Sequence, residues 1–148
     1  MAEDANATMT KFGYPATLVA EHDGWVVLLR PQQVTLGSLV LVSRAPATAF
    51  GQLDDAAFAA LGPVIRRIEA VLGDLVGYDR INYLMLMMVD PDVHFHVIPR
   101  YQGTRRFEGF EVADAGWPGP PALGEAWTPL PEVATRLTAE LNGRWAAG

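Results

Sequence analysis

The hydrophobic and polar positions along the chain divide it into short strands and two helices. Tyr14–Ala20 and Trp25–Arg30 are rich in Val and Leu and read as strands. Between them Glu21-His22-Asp23-Gly24 has turn chemistry, and Asp-Gly is a strong signal for a short hairpin. Pro31–Leu36 is a connection. Gly37–Ser43 is a third strand with apolar residues on both faces, which predicts a central position covered on both sides. Asp54 and Asp55 are capping residues for a helix whose apolar positions Phe58, Leu61, Ile65, Ile68, Leu72 and Leu75 recur every three or four residues. Gly62-Pro63 interrupts that stripe and predicts a kink or a split; Gly77 is a C-cap candidate.

Ile81–Val89 and Val93–Ile98 read as a fourth and a fifth strand, with Asp90-Pro91 as the tight turn of a hairpin and Pro99 as the stop. Tyr101–Thr128 is Gly-, Pro- and Trp-rich and predicts ordered loop. Leu130–Trp145 reads as a terminal helix with Val133, Leu137 and Leu141 on one face. The expected fold is α+β: an antiparallel sheet of about five strands with two helices. Residues 1–13 are expected to form a loose tail ahead of a single domain over 14–148, in which 101–148 is a C-terminal extension ending in a helix.

Composition narrows the class. The 148 residues are half hydrophobic and 19% charged, as in a globular domain rather than a disordered chain. There are no cysteines, which excludes disulfides, thiol nucleophiles and thiolate zinc sites. Eleven basic against 17 acidic residues give a net charge of −6, the opposite of a phosphate-tracking nucleic-acid binder. The first 13 residues show no basic and apolar signal segment, and no apolar run reaches the roughly 20 residues of a membrane helix. The expectation is a cytoplasmic protein without nucleic-acid or membrane partners.

The chemistry concentrates in Asp92-Val93-His94-Phe95-His96-Val97-Ile98-Pro99-Arg100. Alternate residues of a strand share a face, so Asp92, His94 and His96 are expected in a row, with Val93, Phe95 and Val97 facing the core. Taken alone, the pattern fits surface histidines, a metal site completed by Asp92 or His22, or nucleophilic catalysis by one imidazole beside another.

His94-Phe95-His96-Val97-Ile98-Pro99-Arg100 resembles the end of the signature of the histidine-triad family, in which three histidines alternate with apolar residues and Pro-Arg often follows. The upstream order of strands, Gly37, apolar strand and amphipathic helix matches as well, so the likeness runs over roughly Ala16–Arg100. The resemblance implies an α+β fold, a homodimer, and a small-molecule partner that is a nucleotide or a related phosphate or anionic compound. It also implies a covalent nucleotidyl-histidine formed at the middle histidine, and no cofactor. His94 is then the nucleophile, with its Nδ1–H held by a backbone carbonyl. His96 is the third histidine, binding phosphate or leaving group.

The departures from the family pattern are specific. Asp92 replaces the first histidine. A carboxylate 4–5 Å from phosphate is repulsive by about 1–4 kcal/mol, unless it serves as an acid or base or raises a neighbouring imidazole pKa. Met88 stands where a phosphate-holding Gln is usual, and no glycine precedes the motif. Arg30 falls near the position of a ribose-binding Asp or Asn; it cannot accept a hydroxyl hydrogen bond but can pair with phosphate, carboxylate or Asp92. Ser38 replaces a histidine that often follows the glycine, and Asn82 resembles a strand asparagine of the family. With Arg100 of the motif, Arg30, Ser38 and Asn82 are the substrate-binding candidates. A changed anionic substrate, a His/Asp metal site and a non-catalytic binding protein are the alternatives to a phosphate-chemistry enzyme. The methionines Met85, Met87 and Met88 are expected in the core, and Arg105 and Arg106 as a solvated pair. Trp117 and Trp127 are expected to staple the tail to the sheet, to sit at a dimer interface or to close over the site.

Overall fold

The computed structural model describes residues 5–148. Its centre is an antiparallel sheet of five strands: β1 (Leu18–His22), β2 (Trp25–Leu29), β3 (Leu39–Ser43), β4 (Arg80–Leu84) and β5 (His94–Arg100). The spatial order is β1-β2-β3-β5-β4. The Asp23-Gly24 turn forms as its chemistry demands, with both residues at positive φ and His22 opposite Trp25. β3 lies in the middle and every one of its residues is buried, as a strand apolar on both faces requires.

One face of the sheet is covered by the long helix α2 (Asp55–Val76) and the terminal helix α3 (Pro131–Ala147). Asp54 caps α2 by accepting from the Ala57 N–H, and Gly77 ends it in the left-handed conformation. The helix is not split at Pro63. The carbonyl that Pro63 leaves without a donor, at Ala59, belongs to an exposed residue, so the lost bond leaves no buried group unpaired. Burial falls on Ala60, Val64, Ile68, Val71, Leu72 and Val76, one position round from the predicted stripe; Phe58 is exposed and Leu61, Ile65 and Leu75 are half-buried. Trp25 Nε1 donates to the Ala57 carbonyl at 2.9 Å and fixes the helix on the sheet. Gly37, at φ +91°, sits where any Cβ would come within 3.0 Å of Leu72 and Val76.

The other face is covered by a short helix, α1 (Ala7–Lys11). The expectation of a loose tail over 1–13 therefore fails for Ala7–Phe12, and residues 1–4 lie outside the described residues. Asn6 caps the helix by accepting from the Met9 N–H, and Met9 and Phe12 pack on Val26, Leu28, Val40 and Val42. One apolar pair three residues apart is enough because the sheet offers an apolar surface to receive it.

Three further elements differ from expectation. β4 ends at Leu84, and residues 85–93 form a long loop rather than strand and tight turn. β5 runs through Pro99, which has β4 alongside, and ends at Arg100. The expected loop over Tyr101–Thr128 contains a hairpin, β6 (Thr104–Phe107) with β7 (Phe110–Ala113). The edges of the sheet are β1 and β4, and β5 is interior. Trp127 staples the tail by a backbone bridge to Gln33, at 2.8 Å in both directions. Among the described residues no helix is long and apolar enough to cross a membrane.

Candidate functional site

The register of the sheet places the histidines. His94 lies opposite Val42 and His96 opposite Val40, on the face that α1 covers, while Phe95 and Val97 point to the α2 side. The two imidazoles stand 5.2 Å apart, centroid to centroid, at an interplanar angle of 81°. Phe12 of α1 packs on both, at 6.3 Å and 5.7 Å. His94 and His96 are only 2% and 9% exposed, so each nitrogen without a protein partner matters.

His94 Nδ1 lies 2.6 Å from the backbone carbonyl of Asp92. A carbonyl only accepts, so Nδ1 carries the proton and Nε2 keeps its lone pair. His96 has the opposite arrangement. Its Nδ1 accepts from Arg30 Nε at 3.2 Å, which leaves the hydrogen on Nε2. Burial, the Arg30 charge and the His94 neighbour push the His96 pKa down to about 4, so it is neutral at physiological pH. The pair thus presents one nucleophilic nitrogen and one hydrogen-bond donor.

Both histidines open into a cleft of about 300 Å³ whose wall includes Arg30, Lys11, Phe12 and the loop residues Met87, Met88 and Asp90. Lys11 binds Asp90 through both carboxylate oxygens, at 3.0 and 2.8 Å. Met85 and Met87 pack against the core, Met87 at the cleft wall, whereas Met88 lines the cleft and is 85% exposed.

Asp92 does not complete a row with the histidines. β5 begins at His94, and the Asp92 carboxylate turns to α1, accepting from Thr8 N–H at 3.2 Å and Thr8 Oγ1 at 2.9 Å. Its backbone serves His94 while its side chain anchors the helix that roofs the site. The Asp92 charge is also not among those acting on His96, which are Arg30, His94, Asp90 and Lys11.

The remaining candidates separate. Arg30 reaches the cleft, and pairs with His96 rather than with Asp92. Ser38 is fully buried in a turn, its hydroxyl donating to the Thr35 carbonyl and accepting from the Thr35 N–H. Arg100 is buried against Asp114 at 2.7 and 3.1 Å, and also donates to Asn82 Oδ1 and the Gly119 carbonyl. Ser38, Asn82 and Arg100 are therefore held in structural hydrogen bonds, and none of them lines the cleft. His22 is on an exposed strand end beside Asp23 and borders a different recess with Pro63 and Trp145. The proposed metal set of His94, His96, Asp92 and His22 does not converge, and no group of three or more candidate ligands does so among the described residues. Arg105 caps α2, donating to the Val76 and Gly77 carbonyls, while Arg106 pairs with Glu111. Trp117 lines a separate recess with Arg80 and Pro118.

Sequence reasoning missed Lys11, Phe12 and Thr8. The available signal was Asn6 followed by Met9 and Phe12, a cap and an apolar pair at helical spacing.

Comparison with solved structures places this geometry. A histidine triad protein from Bradyrhizobium japonicum superposes with a TM-score of 0.72 over 95% of this chain and 96% of its own, at 21% identity. The chain has the histidine-triad fold. A second histidine-triad protein, from Sinorhizobium meliloti, matches with a TM-score of 0.73, 22% identity and 95% of each chain. A histidine triad nucleotide-binding protein, so described as hypothetical, from Sulfolobus tokodaii matches with 0.71, 16% identity, 95% of this chain and 90% of that one. No family model matches the sequence, and no curated protein does. His94 and His96 stand on β5 of this fold, and Asp92 lies just ahead of that strand.

Proposed function

We propose that this protein is a nucleotidyl hydrolase or transferase that works through a covalent intermediate on His94. The observation that carries this reading is the 2.6 Å hydrogen bond from His94 Nδ1 to the Asp92 carbonyl, which leaves Nε2 unprotonated on a residue that lines the cleft. Nε2 attacks the phosphorus of a substrate phosphate and forms an N–P bond. The bond from phosphorus to the leaving group breaks; the leaving group keeps the electron pair and takes a proton from water in the open cleft. The imidazole is then positively charged, and its Nδ1–H bond to a carbonyl oxygen stabilises that charge. His96 Nε2–H donates to a phosphoryl oxygen, where negative charge develops in the transition state. Water then attacks phosphorus and forms a P–O bond, its proton passes to the hydroxide left when the leaving group was protonated, the N–P bond breaks, and the bond's electron pair returns to Nε2.

The likeness to structures described as histidine-triad proteins, one of them as nucleotide-binding, supports a nucleotide as the substrate class. The test is incubation with adenosine 5′-phosphoramidate and diadenosine polyphosphate. AMP release should occur, and the intact protein trapped in acid-free quench should gain one adenylyl mass. In His94→Ala both should vanish. Absence of both in the wild-type chain would overturn the reading in favour of a binding protein.

A homodimer is the assembly that best satisfies the edge of the sheet. β4 has a strand on one side only, and its half-buried Ile81 and Tyr83 adjoin the core on the α2 side. Pairing of β4 with its copy would satisfy those backbone groups. Sedimentation equilibrium should give twice the chain mass, and Asn82→Pro should shift it toward monomer.

A further inference from the structure

Arg30 is the charged group of the cleft that the reaction at His94 leaves without a role. It is a half-buried cation, and among the described residues no carboxylate pairs with it. Of its five N–H groups, Nε donates to His96 Nδ1 and one on Nη1 donates to the Gln32 carbonyl at 2.6 Å. Three remain uncommitted in a group that borders the cleft. The other charges there cancel, since Lys11 holds Asp90 in a two-pronged pair, and His96 is neutral. The Asp92 carboxylate faces Thr8 and does not line the cleft. One positive charge is left in surplus.

Desolvating a cation without a counter-ion is costly, and a guanidinium with a free fork is matched in geometry to a planar or tetrahedral oxyanion. It is mismatched to a sugar hydroxyl pair, which needs an acceptor to receive its hydrogens. The order along the face is His94, His96, Arg30, so a group held by Arg30 lies beyond His96 from the reacting phosphorus.

We propose that Arg30 is the specificity-determining residue of the cleft and selects a substrate that carries a second oxyanion, phosphate or carboxylate, on the far side from the phosphoryl group attacked by His94. The proposal rests on His94 as the reacting residue, and it distinguishes this chain's substrate from a simple nucleoside 5′-phosphate.

The test compares binding of AMP with adenosine 2′,5′-bisphosphate and adenosine 3′,5′-bisphosphate by calorimetry, using the full chain. One bisphosphate should bind about tenfold or more tighter than AMP, the size expected of a charge-assisted forked contact. In Arg30→Gln the ratio should fall to within about threefold. The ratio of two affinities in one variant cancels any general loosening of the site. Should Arg30→Gln fail to fold, the wild-type chain supplies a second readout: the Arg30 side-chain nitrogen resonances should move on adding the preferred bisphosphate and not on adding AMP. A ratio near one in the wild-type chain, or a preference that survives in Arg30→Gln, overturns the proposal. Adenylyl labelling of His94 is scored separately. A labelled His94 without the preference leaves the nucleophile standing and removes the anion site; the preference without labelling keeps the anion site and removes the nucleophile.

Discussion

The two ends of strand β5 treat polar groups in opposite ways. At its start His94 keeps a free Nε2, His96 keeps a free Nε2–H, and neighbouring Arg30 has three N–H groups unused. At its end Arg100 is 4% exposed and makes four hydrogen bonds, to Asp114 twice, to Asn82 and to Gly119. Both regions bring cations out of water. One is closed by the protein's own acceptors, which makes it a fastener between the sheet and the 114–119 segment. The other is open, which makes it available to a ligand. Unspent hydrogen-bonding capacity in a buried setting, more than residue type, separates the arginine proposed to bind a ligand from the structural one.

The largest effect that should sharpen this contrast is at the open end. His94→Ala removes the lone pair proposed to attack, and the rate of AMP release should fall at least about 10⁴-fold, roughly 5.5 kcal/mol of transition-state stabilisation. The melting temperature of the same variant should also fall, since a buried ring packed on Phe12 and His96 is lost, but a stability change leaves the folded fraction active and cannot supply a 10⁴-fold loss. A variant that retains a tenth of the activity would mean that another group does the chemistry.

The closed end should show the reverse. Arg100→Ala strands the buried Asp114 carboxylate, whose side chain is 1% exposed, and should cost about 3–5 kcal/mol. In a chain of this size that lowers the melting temperature by about 10 °C. Replacing both partners, Arg100→Met with Asp114→Leu, should recover much of the loss. Arg30→Met, at the open end, leaves only the neutral His96 Nδ1 without its donor and strands no charge, so its effect on the melting temperature should be less than half that of Arg100→Ala. Equal losses at the two arginines would break the contrast.

The sequence makes the sheet and the motif strand legible, because period-two patterning and an Asp-Gly turn are local signals. Its alternation also puts His94 and His96 on one face correctly. It does not reveal that Asp92 turns away, because the start of a strand depends on which hydrogen bonds form, and Val93 bonds to Ser43 and Ala47 rather than extending the ladder. Nor does it show that Arg100 and Ser38 are internal fasteners, since their partners, Asp114 and Thr35, are chosen by loops whose path is set in three dimensions. The helix α1 is too short to be stable alone and exists through tertiary packing, which a reading by composition takes for a tail.

A pH experiment tests the open end without altering the chemistry there. The His96 pKa is about 4 in the folded chain and near 6.5 when unfolded. As pH falls from about 6.5 toward 4 the unfolded chain takes up a proton that the folded chain refuses, so stability falls with falling pH through that window. The loss attributable to His96 should reach about 2–3 kcal/mol. Urea midpoints measured between pH 7 and pH 4.5 should fall faster for the wild-type chain than for His96→Asn, with the carboxylates common to both cancelling. Parallel profiles would mean that His96 titrates normally, and that the Arg30 contact to Nδ1 does not persist in solution.

The smallest effect concerns the roof over the site. Asp92 acts through two atoms with different tasks: its carbonyl oxygen holds His94 Nδ1–H, and its carboxylate holds Thr8. Asp92→Ala removes the second task and keeps the first. Loss of a charged acceptor from the start of α1 should cost about 1–2 kcal/mol and speed amide exchange over Met9–Phe12, whose packing on the histidines depends on that anchor. The ¹⁵N resonances of His94 should still be those of the Nδ1–H tautomer, because the carbonyl is unchanged. If the tautomer changes with the side chain, the carboxylate orients the nucleophile directly, and Asp92 belongs with the open, reactive end of the strand. If only the exchange changes, Asp92 is a fastener like Arg100, set beside the reactive histidines rather than among them.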